Sequence, residues 1–201
     1  MSDVSTPRRR AIAGSVTSIL CVLSGALAAG QGPVKKLSPD RNYQTFTDPA
    51  GRFQLEYPKR DWRPLPSVPE YPIGGSSLAV FARTDGATLF VDRLRLVERL
   101  TPGEIDAMPE VEMDRLRKLQ PNAKDFKSDM VETEAGRGML IRYSRVETVP
   151  ESVVQFSIPL GQDLYRLNGI VPEKLFTRYE PIIMRMIQSF KAPADPSSPK
   201  N

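Results

Sequence analysis

The side chains that most often carry catalysis are scarce in this sequence. The 201 residues include no histidine and a single cysteine, Cys21, which sits in an apolar stretch near the N-terminus. Once that stretch is removed neither residue type remains. This excludes Cys/His zinc sites, a cysteine nucleophile, a Ser–His–Asp triad and any disulfide. Carboxylates, guanidiniums and hydroxyls are left. Glu104, Asp106, Glu110, Glu112 and Asp114 form an acidic run. Such oxygens suit divalent cations, but no Asp-x-Asp-x-Asp-Gly loop accompanies them, and acids near a helix N-terminus are favoured by the dipole alone. The run reads as a solvated helix face, and no metal is assigned. Ser76-Ser77 after Gly74-Gly75 matches neither a nucleophile elbow nor a phosphate loop. No carboxylate pair is singled out for glycosidase-type chemistry. The chain is therefore expected not to be an enzyme, with no catalytic residue and no cofactor assigned.

Arginines and aromatics are the remaining candidates for binding. Arg93 and Arg95 alternate with Leu94 and Leu96 on one strand, and Arg142 and Arg166 fall on later strands. A strip of guanidiniums could hold an anionic ligand or partner. The alternative is a sheet edge where arginines pair with acids such as Asp92 or face water. Trp62, Phe81, Tyr143 and Tyr165 could line a pocket between sheet and helix, although core packing is the stronger reading.

These residues need a scaffold, and its most legible part is Gly161–Phe190: a hairpin turn, a strand over Leu164–Val171 and a closing helix over Pro172–Phe190. Leu175, Phe176, Tyr179, Ile182, Ile183, Met186, Ile187 and Phe190 recur at helical spacing and form one stripe that must cover a sheet. Pro181 predicts a break, with a short segment to about Arg178 and the main helix after it. Asp48-Pro49-Ala50-Gly51 and Asp85-Gly86 are turn sequences. Thr101-Pro102-Gly103-Glu104 has the form of a capping box. Its helix should run to about Leu119 with Ile105, Met108, Leu116 and Leu119 inward, kinked or restarted at Pro109. Short strands are expected over 44–47, 52–57, 77–83, 88–97, 126–134, 138–146 and 153–159. Hairpin links between them imply an antiparallel sheet.

The N-terminus has three parts: Arg8-Arg9-Arg10, an apolar run over Ala11–Ala29, and Ala26-Leu27-Ala28 near its end. That is the layout of a secretory signal peptide, with cleavage expected after Ala28. An uncleaved single-span anchor is the alternative. Residues 29–43 read as a flexible tether, 44–191 as one domain and 192–201 as a disordered Pro/Ser tail. The formal net charge is +4, and residues 1–28 hold Arg8, Arg9, Arg10 and Asp3, so the remainder carries +2. No basic cluster with interleaved aromatics appears, and nucleic acid is not an expected partner.

Phe53-Gln-Leu-Glu-Tyr-Pro58 followed by Trp62 resembles the opening of PsbP-like and Mog1-like domains. The Phe90–Val97 strand, Pro109-Glu110, Gly136-Arg-Gly-Met139 leading to Tyr143, Leu164-Tyr-Arg-Leu167 and the closing Ile187-Gln-Ser-Phe190 follow in the order seen in that family. The resemblance spans about Phe46 to Phe190. It implies an α+β fold, an α/β/α sandwich with a central antiparallel sheet and helices on both faces. It also implies binding without catalysis, since the family includes a lumenal photosystem subunit, a Ran-binding import factor and exported bacterial proteins. The chain is accordingly expected to be an extracytoplasmic (periplasmic or secreted) domain that binds or helps assemble a protein partner of the cell envelope, with Arg93 and Arg95 as candidate binding residues. A carrier of a small apolar or anionic ligand is the alternative. Export predicts that the folded domain in intact cells is reached by protease once the outer envelope is opened in spheroplasts; degradation only after lysis would contradict it.

Overall fold

Turn chemistry sets much of the architecture. In the computed structural model, which describes residues 37–65 and 76–193, β1 (Tyr43–Thr47) pairs antiparallel with β2 (Gln54–Pro58). Asp48 closes this hairpin. Its buried carboxylate accepts the backbone N–H groups of Ala50 and Arg52 and takes the Arg52 guanidinium through both oxygens, at 2.7 and 2.8 Å. Gly51 supplies a φ of 69°, a conformation that costs glycine little. The expected signal peptide, most of the expected tether and residues 194–201 of the expected tail lie outside the described residues. Residues 37–42 do contact the domain: the Ser38 carbonyl accepts from Arg185 at 3.0 Å.

Seven further strands form one antiparallel sheet. β3 (Arg63–Leu65), β4 (Ser76–Ala82) and β5 (Thr88–Arg95) come first. Helix α1 (Pro102–Leu119) then crosses the sheet, and β6 (Lys124–Thr133), β7 (Gly136–Val146), β8 (Pro150–Leu160) and β9 (Asp163–Pro172) return by hairpins. The spatial order is β3-β4-β5-β9-β8-β7-β6. The first three strands and the last four are thus joined where β5 meets β9, from Thr88↔Ile170 to Arg95↔Asp163. β3 is too short, and too rich in proline around it, to be read as a strand from sequence.

Side chains alternate across the sheet. One face holds the main core: Leu89 and Val91 of β5, Val154, Phe156 and Ile158 of β8, and Leu167 and Val171 of β9. Helix α2 (Phe176–Gln188) covers it with Tyr179, Ile183, Met186 and Ile187, joined by Phe190, Trp62 and the β2 side chains Leu55 and Tyr57. Gly169 lets α2 approach: a Cβ there would lie 2.6 Å from Ile183 Cγ2. The opposite face carries a smaller cluster, Leu116 of α1 on Met139, Ile141, Tyr143 and Val153. Helices therefore lie on both faces of an antiparallel sheet, as expected.

Three local expectations change. α2 is not divided at Pro181; a 3-10 turn over Glu173–Leu175 precedes a helix that runs continuously from Phe176. Proline forfeits a single bond, to the Thr177 carbonyl, and the buried stripe outweighs that loss. α1 is not restarted at Pro109 but runs as one helix from the Thr101–Glu104 capping box, which forms as expected. Leu119 is not inward but 57% exposed, because α1 ends there over a part of the sheet that no other described element covers; Met113 packs inward instead. In β4, a register shift between Ser77 and Ala79 places both Leu78 and Ala79 in the main core. Phe190 is fully buried against Phe53 and Tyr165. Phe190→Ala should cost about 3–5 kcal/mol in urea unfolding, and a loss below about 1 kcal/mol would contradict that packing.

Candidate functional site

Among the described residues the second face of the sheet is covered only in part. α1 packs on β6 and β7, and beside it lies an open groove of about 610 Å³ over β5, β9, β8 and β7. Three walls define it. β5 contributes Phe90, Asp92 and Leu94, which share a face because they are two residues apart. β9 and β8 contribute Arg166, Asn168, Ile170, Val153 and Gln155, and β7 adds Tyr143 and Arg145. The flank of α1 contributes Arg115, Leu116, Leu119 and Gln120.

Register arranges these side chains in rows. Asp92 stands opposite Arg166 and Ser77, Phe90 opposite Asn168, and Asn168 opposite Gln155. A polar belt therefore crosses the floor, with an apolar shelf of Ile170, Val153 and Tyr143 beside it. α1 completes the belt with Glu112. That carboxylate binds Arg115 through both oxygens, accepts from Gln155 Nε2 at 2.8 Å and lies 3.2 Å from Arg166 Nη2. Gln155 is only 3% exposed. Asp92 accepts from Asn168 Nδ2 at 3.0 Å.

Burial affects the two carboxylates differently. At Glu112 burial raises the pKa, but the hydrogen bond from Arg115, the charge of Arg166 and the Gln155 amide outweigh it and hold the carboxyl below its ordinary value. At Asp92 burial dominates, and the Ser77 and Asn168 hydrogen-bonding groups and the more distant Arg166 charge do not offset it, so its pKa is raised. Burial also lowers the Arg166 pKa, against the attraction of Glu112, and raises that of Tyr143. The belt can hold charge and hydrogen bonds in place.

The sequence candidates separate. Arg93 and Arg95 lie on the α2 face of β5, away from the groove, and both reach Asp163 across the sheet, at 3.8 and 3.1 Å. Asp92, expected as a possible partner of theirs, points to the other face, because odd and even positions of a strand diverge. Arg142 binds Glu180 of α2 at 2.8 Å. Arg166 alone of the four arginines enters the groove. The aromatics divide as well. Trp62 (2% exposed), Phe81 and Tyr165 are core residues of the α2 face, whereas Tyr143 lines the groove. Of the acidic run, Glu104 caps α1, Asp106 pairs with Arg137, Asp114 pairs with Arg117, and Glu112 joins the belt. Among the described residues no group of His, Cys, Asp and Glu is placed to hold a metal ion. Asp92, Gln155 and Asn168 were missed. Their signal was a polar residue at an inward position of an otherwise apolar strand.

A seven-stranded antiparallel sheet with a crossover helix on one face and a closing helix on the other defines an α+β sandwich class of binding domains and enzymes alike. Solved structures narrow it. The chain is similar to cyanobacterial PsbP (CyanoP) from Synechocystis sp. PCC 6803, with a TM-score of 0.57 and 12% identity over 81% of this chain and all of that one. It is also similar to the Ran-binding protein Mog1p of Saccharomyces cerevisiae, with a TM-score of 0.51 and 13% identity over 75% of this chain and 95% of that one. The fold is PsbP/Mog1-like. No protein-family model and no curated protein sequence matches the chain.

The raised pKa of Asp92 has a sign that can be tested. Keeping it ionised in the fold costs stability at pH values above its folded pKa. That cost fades as pH falls through the folded pKa and is gone below the ordinary carboxylate value of about 3.9. Asp92→Asn should therefore raise the melting temperature at pH 7, with the gain shrinking towards pH 3. A variant less stable than the parent at pH 7 would contradict this.

Proposed function

We propose that the chain is an exported, non-catalytic binding domain whose groove receives a protein partner of the cell envelope. The observation that carries this reading is the open groove itself, whose apolar wall runs out to the surface. Leu119 lines the groove and is 57% exposed. The neighbouring β7–β8 hairpin, which carries the groove residues Arg145 and Glu147, exposes Val146 and Val149. Apolar residues concentrated at a groove mouth and flanked by charge are a mark of interaction surfaces. The absence of histidine and of cysteine beyond Cys21 supports binding over chemistry. The layout of residues 1–29 supports export. Among the described residues no helix is long and apolar enough to cross a membrane.

Both solved relatives are of named kinds, one a PsbP and one a Ran-binding protein, and fold analogy transfers no partner from either. A small-ligand carrier is the second reading, favoured by the volume of the groove. The room for such a ligand is not near Trp62 and Tyr165, where side chains fill the core, but under α1.

The partner reading is tested by capture from an envelope extract with the parent chain and with Leu119→Asp. The exposed position should leave the melting temperature within about 2 °C of the parent, corresponding to no more than about 0.5 kcal/mol. Recovery of a stoichiometric partner should fall at least about fivefold, and equal recovery by both proteins would overturn the reading.

A further inference from the structure

Asp92 faces Arg166 directly in the β5–β9 register, the arrangement in which a cross-strand ion pair would form. It does not form. The Arg166 guanidinium turns to Glu112 at 3.2 Å, and among the described residues no lysine or arginine comes within ion-pair distance of Asp92. The carboxylate is half-buried on the floor of an open groove, with the Asn168 amide at 3.0 Å. Every arginine lining the groove is already held by a carboxylate: Arg115 and Arg166 by Glu112, Arg145 by Glu151 and Glu147 at 2.9 and 3.1 Å. A guest anion would have to compete with those pairs. A guest cation would meet the floor carboxylate that, among the described residues, has no cation of its own. On either side of Asp92 along β5 stand Phe90 and Leu94, with Ile170 on β9 and Leu119 on α1 completing the lining.

We propose that the groove is a binding site for small amphipathic amines, the ammonium group set on Asp92 and Asn168 and the apolar body lying against Phe90, Leu94, Ile170 and Leu119. The volume of about 610 Å³ is that of a typical small-ligand site. Burial already raises the pKa of Asp92, and an ammonium seated there would reverse that penalty by supplying the missing opposite charge. The ammonium donates and both floor oxygens accept: the Asp92 carboxylate and the Asn168 side-chain carbonyl. This site goes beyond the docking of a protein partner and does not require it.

The test is a titration of the isotope-labelled full chain followed by amide chemical shifts, with three probes of one shape: 4-phenylbutylammonium, 4-phenylbutan-1-ol and 5-phenylpentanoate. The ammonium should saturate below about 10 mM, with shifts centred on β5, β9 and α1, and should bind at least about tenfold more tightly than the carboxylate or the alcohol. Asp92→Asn should lose at least about tenfold in ammonium affinity and leave the alcohol unchanged, while its melting temperature shows that it folds. Failure of the ammonium to saturate, carboxylate binding as tight as the ammonium, or an unchanged affinity in Asp92→Asn would each overturn the proposal. Amine binding that persists in the full chain when Leu119→Asp captures as much partner as the parent would overturn the partner reading alone.

Discussion

The pairing of β5 with β9 is the contact on which the rest of the molecule depends. These strands are separated by α1 and three further strands, yet they meet over Thr88–Arg95 and Asp163–Ile170. Without this seam the molecule would be two incomplete sheets, each with a bare edge exposing unpaired N–H and C=O groups. Joining them is costly in chain entropy, because the closed loop is long, and the return comes from both faces at once. On one face the seam aligns Leu89 and Val91 with Leu167 beneath α2. On the other it sets Asp92 beside Arg166 and Asn168.

The second face shows why a partly covered sheet can tolerate buried charge. Glu112 descends from α1 and gathers Arg115, Arg166 and Gln155 around one carboxylate. A belt of this kind contributes little net stability, since desolvation offsets most of the attraction. Its effect is on position: α1, packed on β6 and β7, is tied to β8 and β9 by a polar contact with few alternative arrangements. Asp92, left out of that arrangement, accepts the Asn168 amide instead.

Much of the fold could be read from local chemistry, and the site could not. The Thr101–Glu104 cap, the Asp48–Gly51 and Asp85–Gly86 turns and the Leu175–Phe190 stripe are decided within a few residues, so their signals survive in the sequence. The strand order depends on Val91 meeting Leu167, a pairing 76 positions apart, and no local pattern encodes it. Proline at 181 misled because its penalty of one lost bond was weighed without the packing that opposes it. At the site, Arg93 and Arg95 stood out because two arginines alternate. The residues that matter more, Asp92, Gln155 and Asn168, are single polar positions whose inward direction becomes evident only once the strand faces are assigned. Glu112 was visible but lay in a run of acids whose other members, Glu104, Asp106, Glu110 and Asp114, are exposed.

The crossover by α1 divides the groove's walls between two parts of the chain. Phe90, Asp92 and Leu94 are synthesised before the helix, Arg166, Asn168 and Ile170 near the end. The shortest contiguous fragment that contains both walls runs from Phe90 to Ile170 and includes α1, β6, β7 and β8. The groove is thus assembled in the same event that completes the sheet, and a chain interrupted before β9 would present neither its acid nor its apolar shelf in usable form. Recognition is in this way made conditional on topology: whatever the groove selects, it can select only for a finished molecule.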